Sequence, residues 1–218
     1  MKIEIRDLNK EIGKNQILDN ISVTLISGKV YGLSGTNGSG KTMLMRALCG
    51  LIRPSSGEIR IDNQILGKDI SFPPSVGALI EAPSFIPKYT GFKNLKILAA
   101  IKNKINNQDI RNTLIQVGLD PDDRRAYRKY SLGMKQRLGI ACAVMENPNL
   151  ILLDEPFNAL DECGTKLIHG LLNSLKENGA LIVLAAHDKT ELESLSDEIL
   201  IMSEGRVENI ILNRKEED

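Results

Sequence analysis

Gly35-Thr36-Asn37-Gly38-Ser39-Gly40-Lys41-Thr42 sets two glycines with four residues between them, then Lys and Thr. This is the phosphate-loop pattern. Upstream, Val30-Tyr31-Gly32-Leu33-Ser34 reads as a short buried strand, and residues 43–48 have the apolar spacing of a helix. The loop therefore joins a strand to a helix N-terminus, which is the setting the pattern needs. Glycines let backbone N–H groups turn inward towards phosphate oxygens, and the helix end adds a partial positive charge. Lys41 would reach the β- and γ-phosphates, and the Thr42 hydroxyl would serve Mg²⁺, an ion that needs few protein ligands. A glycine-rich turn with an incidental Lys-Thr would not explain this agreement of motif and context.

The chain has 218 residues, enough for one large α/β domain and too few for two. Its 28 basic and 28 acidic residues cancel, whereas a free-standing nucleic-acid binder usually carries a basic excess. The longest apolar run, residues 180–186, falls far short of the roughly 20 needed to cross a bilayer. A soluble chain is expected, and the start, Met1-Lys2-Ile3-Glu4, has no apolar signal core. Cys49, Cys142 and Cys163 lack paired spacing and read as reduced thiols in packing positions rather than metal ligands.

Residues 3–5 and 17–26 alternate like strands of an antiparallel sheet, with a polar turn at residues 11–15 between them. Residues 50–57 are rich in turn formers, and Glu58-Ile59-Arg60-Ile61 alternates again. The apolar run at 76–80 leads into Glu81-Ala82-Pro83-Ser84-Phe85-Ile86-Pro87, where two prolines forbid regular structure. Helical spacing recurs at 94–101, 109–117 and 132–145, with a charged loop at 122–128. The polar tail, residues 213–218, is expected to fray.

Leu150-Ile151-Leu152-Leu153-Asp154-Glu155-Pro156 is the second chemical stretch. Four aliphatic residues make a buried strand whose end presents two carboxylates, and Pro156 stops further pairing. This strand is expected beside the phosphate-loop strand, so that Asp154 orients the Mg²⁺ shell. Glu155 would then polarise the attacking water, a role typically worth about 10²- to 10⁴-fold in rate.

In Tyr130-Ser131-Leu132-Gly133-Met134-Lys135-Gln136-Arg137, Ser131 can cap the helix that follows, creating a second anion-binding end. One nucleotide does not need two such ends from one chain. Residues 131–137 resemble a variant of the signature sequence of ATP-binding-cassette ATPases. The phosphate loop, Asp154-Glu155, Asn158-Ala159-Leu160-Asp161 and His187 match that family's other motifs in order. The resemblance spans about residues 3–212.

The resemblance implies a RecA-like α/β P-loop core with a mostly parallel sheet, an N-terminal antiparallel section and an inserted helical subdomain at about 84–145. It implies one ATPase domain over residues 1–218, using ATP and Mg²⁺. Ser131 and Gly133 of one subunit would close over the γ-phosphate held by another, Asp161 would lie in the loop between subunits, and His187 would contact that phosphate. Glu155, His187 and Lys41 are thus the catalytic candidates, and Thr42, Asp154 and Glu81 the metal candidates. His169, with no motif around it and Leu167, Leu171 and Leu175 as its helix's apolar face, reads as a solvated residue.

Two positions depart from the common family pattern. Ile12 stands near where an aromatic residue usually stacks on adenine, and Glu81 stands where Gln is common. Glu81 and the stretch 80–83 resemble exporters that protect bacteria from lantibiotics and bacitracin. The expected function is ATP hydrolysis powering such an exporter. The expected partners are separate transmembrane permease subunits and a second ATPase subunit, forming a homodimer. No nucleic acid is expected, and membrane contact is through the permease only, at the inner face of the cell membrane. The alternatives are a soluble cassette in iron–sulfur cluster assembly and a small-molecule kinase, though a kinase would leave the signature and His187 unexplained.

Overall fold

The polypeptide begins with a long hairpin, β1 (Lys2–Ile12) and β2 (Asn15–Ile26), paired antiparallel. The computed structural model describes residues 1–186 and 188–213, so the expectation for His187 and most of the expected frayed tail lie outside the described residues. The hairpin turn is only Gly13-Lys14, with Gly13 at φ 63°, a sign that glycine adopts without strain. The turn expected over residues 11–15 is therefore shorter, because cross-strand pairing carries the strands to its edge.

Next come β3 (Val30–Ser34), α1 (Lys41–Leu48), β4 (Ser56–Ile61), β5 (Gln64–Ile65) and β6 (Val76–Leu79). Three helices follow: α2 (Gly91–Lys102), α3 (Asn107–Gln116) and, after a 3₁₀ turn at Tyr127–Lys129, α4 (Leu132–Val144). Thr90 caps α2, Ser131 caps α4, and Asn106 forms a capping box with Asp109 at the start of α3. Each cap side chain satisfies an N–H that the first helical turn leaves without a partner. The chain ends with β7 (Leu150–Asp154), α5 (Glu162–Glu177), β8 (Leu181–Ala185), α6 (Lys189–Leu195), β9 (Glu198–Ser203) and β10 (Arg206–Leu212).

Two sheets result. One is antiparallel with strand order β2-β1-β4-β5, and the other has order β10-β9-β3-β8-β7-β6. In the larger sheet only the β10–β9 pair is antiparallel. Its central strands are covered on both faces. Ile151 and Leu153 of β7 point into a core shared with α4 and α5, while Leu150 and Leu152 point into a core shared with α1 and the antiparallel sheet. Burial on both faces is why β7 and β8 read as unbroken apolar runs rather than alternating ones.

Several expectations change. β8 lies between β3 and β7, so the strand ending in Asp154 is not beside the phosphate-loop strand. Chain order does not reveal spatial order in a parallel sheet, where crossovers can skip a position. His169 is half-buried, its ring edge-on to Phe157 at 4.9 Å, because α5 turns Ile168, Leu172 and Leu175 inward and carries His169 to the margin of that face. Cys163 is exposed rather than packed, while Cys49 is buried and Cys142 half-buried.

Candidate functional site

The phosphate loop wraps a cavity of about 350 Å³ at the start of α1. Asn37, Gly38, Ser39, Gly40, Lys41, Thr42 and Met43 line one side, and Ile17, Asp154 and Glu155 line the rest. Gly40 precedes α1 at φ 104° with no side-chain cap, so the first N–H groups of the helix are left for a ligand. Gly35 is required for a different reason: a Cβ there would come within 2.3 Å of the Met202 carbonyl and within 2.6 Å of Ser39 Oγ. That hydroxyl is buried with no hydrogen-bond partner among the described residues. An unsatisfied buried hydroxyl beside open N–H groups fits an anion with several acceptor oxygens.

The charged side chains of the site are held by neutral partners. Lys41, mostly buried, donates through Nζ to the carbonyls of Gly35 at 2.6 Å and Thr36 at 3.1 Å. Thr42 Oγ1, in the first turn of α1, donates to Asp154 Oδ2, at the end of β7, at 2.7 Å, although the two residues are 112 apart in sequence and β8 separates β7 from the strand that leads into the loop. A hydroxyl oxygen and a carboxylate in contact form a hard oxygen donor pair of the type Mg²⁺ takes. The residues present therefore fit the ion.

Glu155 turns the chain out of β7 at φ 51°, a left-handed conformation that costs a non-glycine residue about 1–2 kcal/mol. Its N–H donates to Ala185 O at 2.9 Å, and its carbonyl accepts from Gln136 Nε2 at 2.8 Å and from Asn158 N at 3.3 Å. Further along the same loop, Arg137 donates to Asp161 Oδ1 at 2.8 Å, and the same oxygen caps α5 through Gly164 N at 3.0 Å. A Cβ on Gly133 would come within 2.6 Å of Ala159 O. The start of α4 thus braces residues 155–161 at three points. Sequence reading did not anticipate this brace, because α4 and the loop are adjacent only in space.

Ser131 Oγ accepts from Met134 N at 3.2 Å, as a helix cap does. Ser131 and Leu132 are exposed, and neither Ser131 nor Gly133 lines the cavity of its own chain. Glu81 is also outside the lining, and its carboxylate pairs with Arg46 instead. Ile12 stands exposed on the hairpin, whereas Ile17, which sequence reading passed over as a strand residue, lies on the cavity wall. Burial, with Asp188 and Glu155 nearby, pushes the Glu191 carboxyl above its ordinary range. No group of ligating residues suited to a transition metal occurs among the described residues, and none of the described helices is long and apolar enough to cross a membrane.

Comparison with known proteins agrees with this geometry. The family model described as ABC transporter matches residues 18–158. The uncharacterized ABC transporter ATP-binding protein YybJ of Bacillus subtilis is 50% identical over 206 residues, covering 94% of each chain. The bacitracin transport ATP-binding protein BcrA of Enterococcus faecalis is 39% identical over 207 residues, covering 94% of this chain and 67% of BcrA. A solved ATP-binding subunit of an ABC transporter superposes with a TM-score of 0.86 at 26% identity, covering 97% of this chain and 90% of that one.

Proposed function

The chain belongs to the ABC transporter family as an ATP-binding, ATP-hydrolysing member, and we propose that it powers export of an antimicrobial peptide of the bacitracin or lantibiotic kind through separate permease chains. The observation that carries the reading is the brace between the signature helix α4 and the loop that bears Glu155. It links the backbone of Glu155 to the face that a second subunit's nucleotide would meet. The bacitracin transport relative favours export over cluster assembly.

ATP enters with its phosphates on the N–H groups of Gly38 to Thr42, and Lys41 moves from the Gly35 and Thr36 carbonyls to the β- and γ-phosphates. Thr42 and Asp154 would hold Mg²⁺, which neutralises charge on the phosphate oxygens when bound. Glu155 accepts a proton from the attacking water as it closes in line with the γ-phosphate. Ser131 and Gly133 of a second copy complete the site from the opposite side, with Asp161 in the loop between subunits and His187 as the phosphate contact. In this arrangement the protein is one domain with a helical subdomain at about 84–145, a homodimer at the cytoplasmic face of the membrane.

The test is resistance. The chain is expressed with its neighbouring permease in a peptide-sensitive bacterium, and the inhibitory concentration of bacitracin and of a lantibiotic is measured. Resistance that disappears with Glu155→Gln supports the reading. Purified chain that hydrolyses ATP while no permease confers resistance to either peptide would sink the substrate assignment.

A further inference from the structure

Arg46 lies four residues beyond Thr42 on α1, so the two side chains share one face of that helix, a turn apart. The guanidinium pairs with Glu81 Oε1, outside the cavity lining. Glu81 itself follows β6 at φ 65°, so its backbone is held in a conformation that a carboxylate-bearing residue adopts only when its surroundings fix it. Side-chain exposures of 33% for Arg46 and 63% for Glu81 make this a contact that breaks and re-forms at small cost.

We propose that Arg46 is a positioning residue that parks Glu81 one helical turn from the metal position, so that pairing with Arg46 competes with engagement of Mg²⁺ by Glu81. The inference rests on the assignment of Thr42 and Asp154 as the metal side of the site. Its physical basis is charge. Were the Glu81 carboxylate to leave Arg46 for Thr42, one turn back on α1, and Asp154, it would add negative potential that draws Mg²⁺ in and retains it after phosphate leaves. A cation on the same helix face gives that carboxylate a second place to go, and so returns the site to its open state. Mg²⁺ binding then includes the loss of an ion pair, and its apparent affinity is lowered by the fraction of Glu81 held on Arg46.

The experiment titrates Mg²⁺ against a fluorescent, non-hydrolysable ATP analogue bound to the full chain, which reads binding rather than turnover. An exposed ion pair shifts such an equilibrium by about 1.4- to 5-fold. Arg46→Gln is expected to lower the Mg²⁺ concentration for half-maximal binding by about that factor, and Arg46→Lys, which keeps the charge, to stay near wild type. In a Glu81→Gln background, Arg46→Gln is expected to add nothing. An equal shift in both backgrounds would mean that Arg46 acts only through its general field on the phosphates, and would overturn the proposal, as would no shift in either. Failure of the underlying assignment looks different: analogue binding would then be independent of Mg²⁺ in the wild type and unaltered by Thr42→Ala.

Discussion

Gln136 Nε2 reaches across 19 residues to hold the Glu155 carbonyl at 2.8 Å, tying the signature helix to the residue that turns the chain out of β7. Because Glu155 occupies a left-handed backbone conformation, the bond fixes the direction its carboxylate leaves the strand. Any movement of α4 on meeting a second subunit is therefore felt at Glu155 without an intermediary. Two variants separate the bond from the chemistry. Glu155→Gln should retain nucleotide binding and lose about 10²- to 10⁴-fold in hydrolysis rate. Gln136→Ala removes one hydrogen bond of about 0.5–1.5 kcal/mol and should cost about 2- to 12-fold, again with binding intact. Steady-state hydrolysis alongside nucleotide titration checks both; a Gln136→Ala enzyme at wild-type rate would show that the brace does not aim Glu155.

Asp161 has two roles that a pair of substitutions can split. Its Oδ1 caps α5 and also accepts from Arg137. Asp161→Ala removes both contacts, and the cap alone is worth about 1 kcal/mol, so a fall in Tm of about 2–4 °C is expected for a chain of this size. Asp161→Asn keeps a good cap and loses the charge, so its Tm should stay close to wild type. If Asp161 also serves the contact between subunits, Asp161→Asn will slow hydrolysis without the thermal loss. Calorimetry and hydrolysis assays on the two variants decide the matter.

What the sequence disclosed is what lies close in sequence. The phosphate loop, the strand ending in Asp154 and the cap at Ser131 are all local patterns, set by backbone geometry and by the unmet N–H groups of a helix end. Position in space was less legible. β8 inserts between β3 and β7, yet Thr42 and Asp154 still meet, because α1 packs across both β8 and β7 and brings its first turn to the end of β7. The Gly133–Ala159 approach, the Gln136–Glu155 bond and the Arg46–Glu81 pair join segments with no shared pattern. His169 was misplaced because one residue of rotation, about 100° on a helix, separates the buried face from its margin.

We expect Ile17, rather than Ile12, to meet the base. Ile17 lines the cavity, while Ile12 is 52% exposed on the hairpin. An aliphatic wall offers area without the quadrupole or hydrogen bonds that tell one purine from another. ATP and GTP should accordingly be hydrolysed with similar efficiency. Ile17→Ala removes part of an apolar contact worth about 1–2 kcal/mol, weakening both nucleotides about 5- to 30-fold. Ile12→Tyr tests the alternative: strong tightening there would mean that the hairpin folds over the base.

The three cysteines give a readout of subunit closure. Burial pushes the Cys49 thiol from the ordinary 9.0 up to about 11, and burial with Glu146 nearby does the same for Cys142. Since the thiolate is the reactive form, both should resist alkylation at about pH 8, whereas Cys163, exposed in the first turn of α5, should label quickly. The sign for stability follows from the raised folded-state values. The contribution of Cys49 and Cys142 is fully present below pH 9.0 and is lost as pH rises towards 11, so Tm should fall over that window less steeply in Cys49→Ala. Cys163 lies two residues beyond Asp161. If the loop at Asp161 lies between subunits in the closed dimer, ATP with Mg²⁺ should slow Cys163 labelling in the Glu155→Gln chain, and should leave it unchanged when Lys41→Ala is added. Mass spectrometry of the labelled peptide reads the rate, and equal labelling with and without nucleotide in the Glu155→Gln chain would place that loop outside any closed interface.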